Sequence, residues 1–197
     1  MRHLSVFENL ITGVDTALRT LIPPAQRISK RSTPGAELAV PPLTLKEQRH
    51  VAGLMRVNHS GEVCAQALYQ GQALTAQLGD VKTQMAKAAA EEIDHLAWCE
   101  ERLHELNSQP SLLNPLWYLS SFMIGSLAGL AGDRWSLGFV AETELQVSAH
   151  LQKHLQKLPA QDTKSKAILA QMHEDEMHHA DVAKEAGAAE LPFVIKN

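Results

Sequence analysis

The 197-residue sequence has few cysteines, few aromatic residues and no run of basic residues, and each shortage excludes a class of protein. Its two cysteines, Cys64 and Cys99, cannot form a disulfide framework, which favours a cytosolic location. A net charge of −4 without a basic cluster argues against nucleic acid as a partner. The composition, 45% hydrophobic and 20% charged, excludes a disordered chain.

The N-terminal segment lacks the features of a signal peptide, because Glu8 and Asp15 interrupt its apolar residues. The apolar residues recur every three or four positions instead, which predicts an amphipathic helix. They are Leu4, Phe7, Ile11, Val14, Leu18 and Leu21. Prolines 23 and 24 end this helix, and residues 25–42 predict a surface loop. We therefore divide the chain into an N-terminal helix and loop (1–42), a helical domain (43–190) and a C-terminal tail (191–197).

Beyond residue 43 no strand pattern is convincing, and helix-favouring residues are plentiful. Thr44 and Glu47 fit a capping box that opens a helix extending to residue 78. Further helices are expected over residues 81–106, 133–158 and 163–186, and Gly187 ends the last of them.

The segment between Glu105 and Asp133 contains no charged residue. It is long enough to span a bilayer, but Asn114, Pro115 and several serines interrupt it. A spanning helix is therefore disfavoured. Two alternatives stay open for residues 112–132, a buried core helix and a helix lying on a membrane surface.

Ten histidines are unusually many, and four of them follow a glutamate by three positions. Such a pair shares one face of a helix, so both side chains can bind one metal ion. The pairs are Glu47/His50, Glu92/His95, Glu101/His104 and Glu176/His179. The pairs that begin at Glu92 and Glu176 lie on apolar stripes, where a carboxylate is costly unless it is paired or binds metal. The other two pairs are interpreted as surface residues.

Two further glutamates complete a repeated pattern. Glu62 precedes Glu92 by 30 residues and Glu144 precedes Glu176 by 32, with a turn between the members of each pair. Each half of the chain therefore predicts a helical hairpin with a Glu on its first helix and a Glu-x-x-His on its second. Helical phase favours Glu144 over its neighbour Glu142, because Glu144 aligns with the apolar stripe of its helix.

The resulting set has four carboxylates and two imidazoles on four helices, as in ferritin-like di-iron and di-manganese proteins. Its members are Glu62, Glu92, His95, Glu144, Glu176 and His179. Oxygen and nitrogen ligands without thiolate favour iron or manganese over structural zinc. Asp94, Asp175 and Asp181 are candidates to orient the histidines. The predicted fold is all-α, a ferritin-like four-helix bundle with a di-metal carboxylate site plus N-terminal amphipathic and apolar membrane-facing helices.

Four stretches that contain these residues resemble the Coq7 family, the di-iron hydroxylases of ubiquinone biosynthesis. They are LMRVNHSGE at 54–62, EEIDHL at 91–96, FVAETE at 139–144 and EDEMHH at 174–179. The Arg-Val-Asn-His-Ser-Gly-Glu run is specific, because generic ferritin-like chains lack it. The resemblance extends from the N-terminal helix to about Gly187, and it implies that the same six residues bind two iron ions.

The resemblance also implies an activity, the hydroxylation of a demethoxy-ubiquinol ring (2-polyprenyl-3-methyl-6-methoxy-1,4-benzoquinol). It implies O2 as co-substrate and a peripheral position on the cytoplasmic face of the bacterial inner membrane. Electrons come from an external reductant, with NADH as the candidate, because the chain lacks a Gly-x-Gly-x-x-Gly fingerprint and an iron–sulfur cysteine pattern. The expected partners are a polyprenyl quinol and the membrane surface. Ubiquinone-biosynthesis proteins and a second copy of the chain are further candidates.

Two other functions stay open from the residues alone. An iron-storage or peroxide-removing ferritin-like protein would share the ligands, but it has no need for the uncharged segment. A non-enzymatic adaptor at a membrane surface would use the carboxylates as ion pairs. For the hydroxylase, we expect the quinol tail to leave between the N-terminal helix and residues 112–132.

Overall fold

The computed structural model describes residues 6–22, 27–39 and 41–193. These residues form six α-helices and no strand, which confirms the all-α prediction. The helices are α1 (Val6–Leu21), α2 (Leu45–Thr75), α3 (Gly79–Glu105), α4 (Asn114–Leu130), α5 (Asp133–Lys157) and α6 (Thr163–Glu185). Leu4, the side chain of Phe7 and the end of the predicted tail lie outside the described part.

The helix ends follow local signals with one exception. The predicted capping box is present, with Thr44 accepting from the backbone N–H of Glu47 and Glu47 accepting from that of Thr44. The prediction that α2 extends to residue 78 is wrong, because the helix ends at Thr75. The Asp133 carboxylate at the start of α5 accepts the backbone N–H groups of residues 77 and 78, which holds them outside the helix.

Two hairpins form the body of the molecule. Helix α2 packs along α3 and α5 packs along α6, while contacts of α3 with α6 and of α2 with α5 join the hairpins. Of three apolar clusters in the described residues, two extend across both hairpins. The first surrounds Met55, Leu103, Leu151, Leu169 and Met172, and the second surrounds Tyr69, Met85, Val140 and Ala183. Each of the four helices contributes residues to both of these clusters. The part of each helix that lies between its two clusters is therefore near the middle of the protein.

Helix α4 packs along α2 with its small and polar residues facing inward. Its buried residues are Asn114, Tyr118, Ser121, Gly125 and Gly129. The helices approach so closely that a Cβ atom at Gly125 would lie 2.3 Å from the carbonyl oxygen of Leu68, which only glycine avoids. Five large apolar residues face outward and are more than half exposed, namely Leu116, Leu119, Met123, Leu127 and Leu130. This exposure excludes a buried core helix.

Crossing a bilayer requires a long helix that is apolar over most of its length. Among residues 6–22, 27–39 and 41–193, no helix combines the length and the apolar character that crossing a membrane requires.

The loop between α1 and α2 is fastened to α3 rather than free on the surface. Arg27 donates hydrogen bonds from Nε (3.0 Å) and Nη2 (2.8 Å) to the carboxylate of Glu100. The backbone N–H of Lys30 donates to Asp94, which is buried on the same helix. The predicted surface loop is therefore attached to α3.

Candidate metal centre

The six predicted site residues meet between the two apolar clusters. They form two overlapping groups, one with Glu62, Glu92, His95 and Glu176, and one with Glu92, Glu144, Glu176 and His179. Within each group, one ligand atom from every residue lies within 4.8 Å of the others. All six side chains are buried. Because Glu92 and Glu176 belong to both groups, the site has two halves that share two carboxylates.

Helical register also explains why neighbouring glutamates lie outside the site. Glu92 and His95 are one turn apart, and their Oε2 and Nδ1 atoms lie 3.1 Å from each other. Glu142 lies outside both groups, where it accepts a hydrogen bond from Gln146. Glu101 and its partner histidine are exposed.

Each histidine is oriented by a carboxylate behind it. Nε2 of His95 donates to Oδ2 of Asp175 at 2.8 Å, and Nε2 of His179 donates to Oε2 of Glu91 at 2.6 Å. We assign the ring protons to Nε2 from these contacts. The Nδ1 atoms then present lone pairs to the glutamate oxygens. For His95 these are Glu92 Oε2 and Glu176 Oε1 at 3.1 Å and Glu62 Oε2 at 3.4 Å.

Lone pairs that face one another repel unless a proton or a metal cation lies between them. Three carboxylate oxygens of the cluster are buried without a hydrogen-bond partner, Oε1 of Glu92, Oε2 of Glu144 and Oε1 of Glu176. Buried polar atoms are rarely left unpaired, so each calls for a ligand. Four carboxylates and two imidazoles without thiolate are donors suited to a hard or borderline cation. The residues therefore fit a metal site.

The pKa values of the cluster reflect crowding of buried charge. Burial, reinforced by the nearby charge of Glu92, raises the pKa of Glu62 well above its usual range. Burial and then Glu176 and Glu92 raise the pKa of Glu144 in the same way. Burial opposes ionisation of Glu92 as well, but the adjacent His95 holds the pKa of Glu92 well below its usual range. Without a metal ion, protons must balance part of this charge.

Two residues in contact with the cluster escaped the sequence reasoning. The Tyr69 hydroxyl donates to Oε1 of Glu144. Tyr69 follows Glu62 by seven positions, or two helical turns. This spacing places both residues on one face of α2 and could have predicted the contact of Tyr69 with the cluster. The second residue is Glu91, which is next to Glu92 on α3. It contacts His179 on another helix, which spacing along one helix cannot reveal.

The three aspartates proposed to orient the histidines have different positions. Asp175 contacts His95, as expected of such a residue. Asp94 instead binds the loop through Lys30 and Arg31. Asp181 is exposed and pairs with a lysine on the same helix.

Arg31 links the loop to this arrangement. Its Nη1 donates to the same Asp175 oxygen that accepts from His95, at 2.8 Å. Its Nε donates to Asp94 at 2.9 Å, and its guanidinium lies 4.7 Å from the centre of the Trp98 ring. Arg31 therefore fixes the carboxylate that orients His95.

We expect Asp175→Ala to weaken metal binding by roughly 10–100-fold, the usual cost of removing a group that orients a metal-binding histidine. Asp181→Ala is the matched control, because Asp181 lies on the same helix and is exposed. Anaerobic equilibrium titration with Mn²⁺ measures the affinity, and circular dichroism checks the helical fold. Equal affinities in the two variants would contradict the role given to Asp175.

The helices and the cluster define a class, that of helical proteins whose core holds a metal site built from carboxylates and histidines. Sequence comparison narrows this class to a family. The model of the family described as ubiquinone biosynthesis protein COQ7 matches residues 49–197. The chain belongs to this family.

Individual relatives are similar over the whole chain. A Legionella pneumophila (strain Paris) protein is 65% identical over 196 residues, which is 100% of this chain and 92% of the relative. An Acinetobacter baylyi protein is 61% identical, with the same coverage of both chains. Both relatives are named 3-demethoxyubiquinol 3-hydroxylase.

Proposed function

We propose that this chain is a di-iron monooxygenase that hydroxylates the ring of a demethoxy-ubiquinol in ubiquinone biosynthesis. The observation that carries the proposal is the buried cluster of four carboxylates and two histidines, in a chain 61–65% identical to relatives named for this reaction. In this proposal all six residues would hold the iron, and Glu92 and Glu176 belong to both halves of the site. Glu62 and His95 complete one half of the site, while Glu144 and His179 complete the other.

The proposed architecture is a ferritin-like four-helix bundle made of α2, α3, α5 and α6. It is supported by the arrangement of each hairpin, in which the first helix carries one glutamate and the second carries a Glu-x-x-His pair. Helices α1 and α4 lie outside these four and contact α2.

Bound iron supplies the activation of O2 from which one oxygen atom enters the ring C–H bond. The other oxygen atom leaves as water, which requires two electrons and two protons, with NADH as the proposed source of electrons. Four ionised glutamates carry a charge that balances two ferrous ions. Asp175 and Glu91 hold the two imidazoles, and Tyr69 holds Glu144 by a hydrogen bond. The apolar clusters on either side exclude bulk water.

The proposal includes a peripheral position on the cytoplasmic face of the inner membrane. It is supported by α4, whose outward face carries large apolar residues and no charge. Helix α1 contacts α4 and exposes Ile11, Val14 and Leu18. An apolar face of this extent that is exposed to solvent marks a binding site for a partner or a membrane. The polyprenyl tail of the substrate requires the same apolar surroundings.

We expect Leu127→Glu to reduce binding to anionic phospholipid vesicles at least tenfold. Leu127 is 65% exposed on the outward face, and immersing a leucine side chain contributes about 1.5–3 kcal/mol. Leu45→Glu is the control, because Leu45 is 73% exposed at the start of α2, away from α4. Co-sedimentation with vesicles measures binding. If both variants sediment like the wild type, α4 is not the membrane-binding surface.

The hydroxylase function is tested with purified, iron-loaded protein. The assay supplies a demethoxy-quinol, NADH and isotopically labelled O2, and mass spectrometry follows transfer of one labelled atom to the ring. Iron oxidation or peroxide removal without ring labelling would favour an iron-storage or peroxide-removing protein. Failure to bind metal under anaerobic, chelator-free conditions would favour the adaptor function.

A further inference from the structure

A cavity between α2 and α5 adjoins the candidate metal centre. Its volume is about 310 Å³, which falls at the lower end of the range for small-molecule sites. Glu62 is one of its lining residues, so a ligand in the cavity lies beside the carboxylates of the centre. Val57, Val147 and Leu151 give the cavity apolar walls.

Asn58 is a buried residue in the wall of this cavity, and it carries an unused hydrogen-bond donor. Its side chain is 4% exposed and lines the cavity one helical turn from Glu62. Its Oδ1 accepts from Nδ1 of His154 at 2.8 Å, but its Nδ2 has no hydrogen-bond partner. A buried donor without an acceptor is unfavourable, and an oxygen atom of a ligand in the cavity relieves this cost.

Gly61 gives the cavity its open space. A Cβ atom built on Gly61 meets no other atom within 4 Å, and the residue lines the cavity between Asn58 and Glu62. Asn58, Gly61 and Glu62 all belong to the Arg-Val-Asn-His-Ser-Gly-Glu run at residues 56–62. The run thus combines a donor, a gap and a carboxylate of the centre within about one helical turn.

We propose that the quinol ring binds in this α2–α5 cavity, with Nδ2 of Asn58 donating to a ring oxygen and Gly61 leaving room for the ring beside Glu62. This inference rests on the proposed function and assigns its substrate a position. A benzoquinol ring suits the cavity because it has two apolar faces and hydroxyl and methoxy oxygens at its edge. Helix α4 contacts both α2 and α5, so its apolar surface is adjacent to the two helices that form the cavity.

The sharpest test fills the gap at Gly61. In Gly61→Val the new side chain enters the cavity, and we expect at least a tenfold rise in KM for the quinol with little change in KM for NADH. Gly53→Val is the matched control, because Gly53 lies on the same helix, also has open space around its Cβ position and does not line the cavity. Valine is no worse than glycine within a helix, so both variants should fold.

Binding is measured independently of turnover, by equilibrium dialysis of a short-chain demethoxy-quinone against metal-free protein. This readout keeps the test decisive even if a variant loses metal. We expect Gly61→Val to lose at least tenfold in affinity, while Gly53→Val matches the wild type. Asn58→Leu should lose about three- to tenfold, the effect of one hydrogen bond. His154→Phe, which removes the hydrogen bond to Asn58 but retains Nδ2, should lose less.

The outcomes separate this inference from the proposed function. If the wild type does not hydroxylate a demethoxy-quinol, the proposed function fails. If the wild type hydroxylates it and Gly61→Val binds the quinone as tightly as Gly53→Val does, the assignment of the cavity is wrong. A change confined to KM for NADH would also overturn it, because the cavity would then accept the reductant.

Discussion

Glu176→Ala should abolish hydroxylation and leave at most one metal ion bound per chain. Glu176 belongs to both halves of the cluster, and one of its carboxylate oxygens is buried without a hydrogen-bond partner. Removing it takes one ligand from each half of the site and one negative charge from the set that would neutralise the metal ions. The loss of affinity should exceed the roughly 10–100-fold expected for a group that only orients a ligand.

Glu174→Ala provides the comparison, because Glu174 lies on the same helix two residues earlier and is exposed. It should retain two metal ions and full turnover. Metal analysis and ring hydroxylation are measured on the same samples. Two ions in Glu176→Ala, or equal losses in both variants, would show that the cluster is not the metal site.

The metal-free protein should lose stability as the pH rises from 6.5 to 9, and metal should restore it. Burial raises the folded-state pKa of Glu62 and Glu144. Burial opposes protonation of His95 and His179, yet the carboxylates around them raise the pKa of both. The folded state therefore keeps protons that the unfolded chain releases. Each such proton lowers the free energy of unfolding by up to about 1.4 kcal/mol per pH unit.

The predicted loss of stability should be seen only above pH 6.5, because two other histidines have the opposite effect at lower pH. Burial and nearby positive charges lower the pKa of His150, and burial lowers that of His154 to about 4. These two histidines stabilise the fold as the pH rises toward 6.5, which offsets the cluster in that range. Above 6.5 the unfolded chain loses its remaining protons from these two histidines, so their opposing contribution fades.

Thermal unfolding with and without Mn²⁺ measures the effect. We expect the melting temperature of metal-free protein to fall by at least about 5 °C across the window, since 1 kcal/mol corresponds to about 2–4 °C at this chain length. The double variant Glu62→Gln, Glu144→Gln should show a smaller fall. A metal-free protein whose stability is independent of pH would contradict the charge balance described for the cluster.

Local sequence signals were sufficient for the helices and for the convergence of the six site residues. The capping box at Thr44 is a contact within four residues, and the Glu-x-x-His spacing is set by helix geometry. Phase within one helix likewise distinguished buried Glu144 from Glu142. These features depend on short stretches of chain, so sequence alone can reveal them.

Features that depend on contacts between distant segments could not be predicted in this way. The end of α2 is set by Asp133, more than 50 residues away. The partner of His179 is Glu91 on another helix, and Arg31 reaches Asp175 from the loop. The orientation of α4 follows from close packing of its glycines against α2, which apolar composition alone does not reveal.

The unequal support of the two histidines has a consequence for the order in which metal enters and leaves. Asp175 is 15% exposed and accepts from Arg31 at 2.8 Å, whereas Glu91 is 35% exposed and lies 3.9 Å from the ammonium of Lys87. Glu91 and His179 also line a second pocket, which is separate from the α2–α5 cavity that Asn58 lines. The two positions of the proposed di-iron centre should therefore differ in residence time. The ion at His179 exchanges first with chelators and is the last to be loaded.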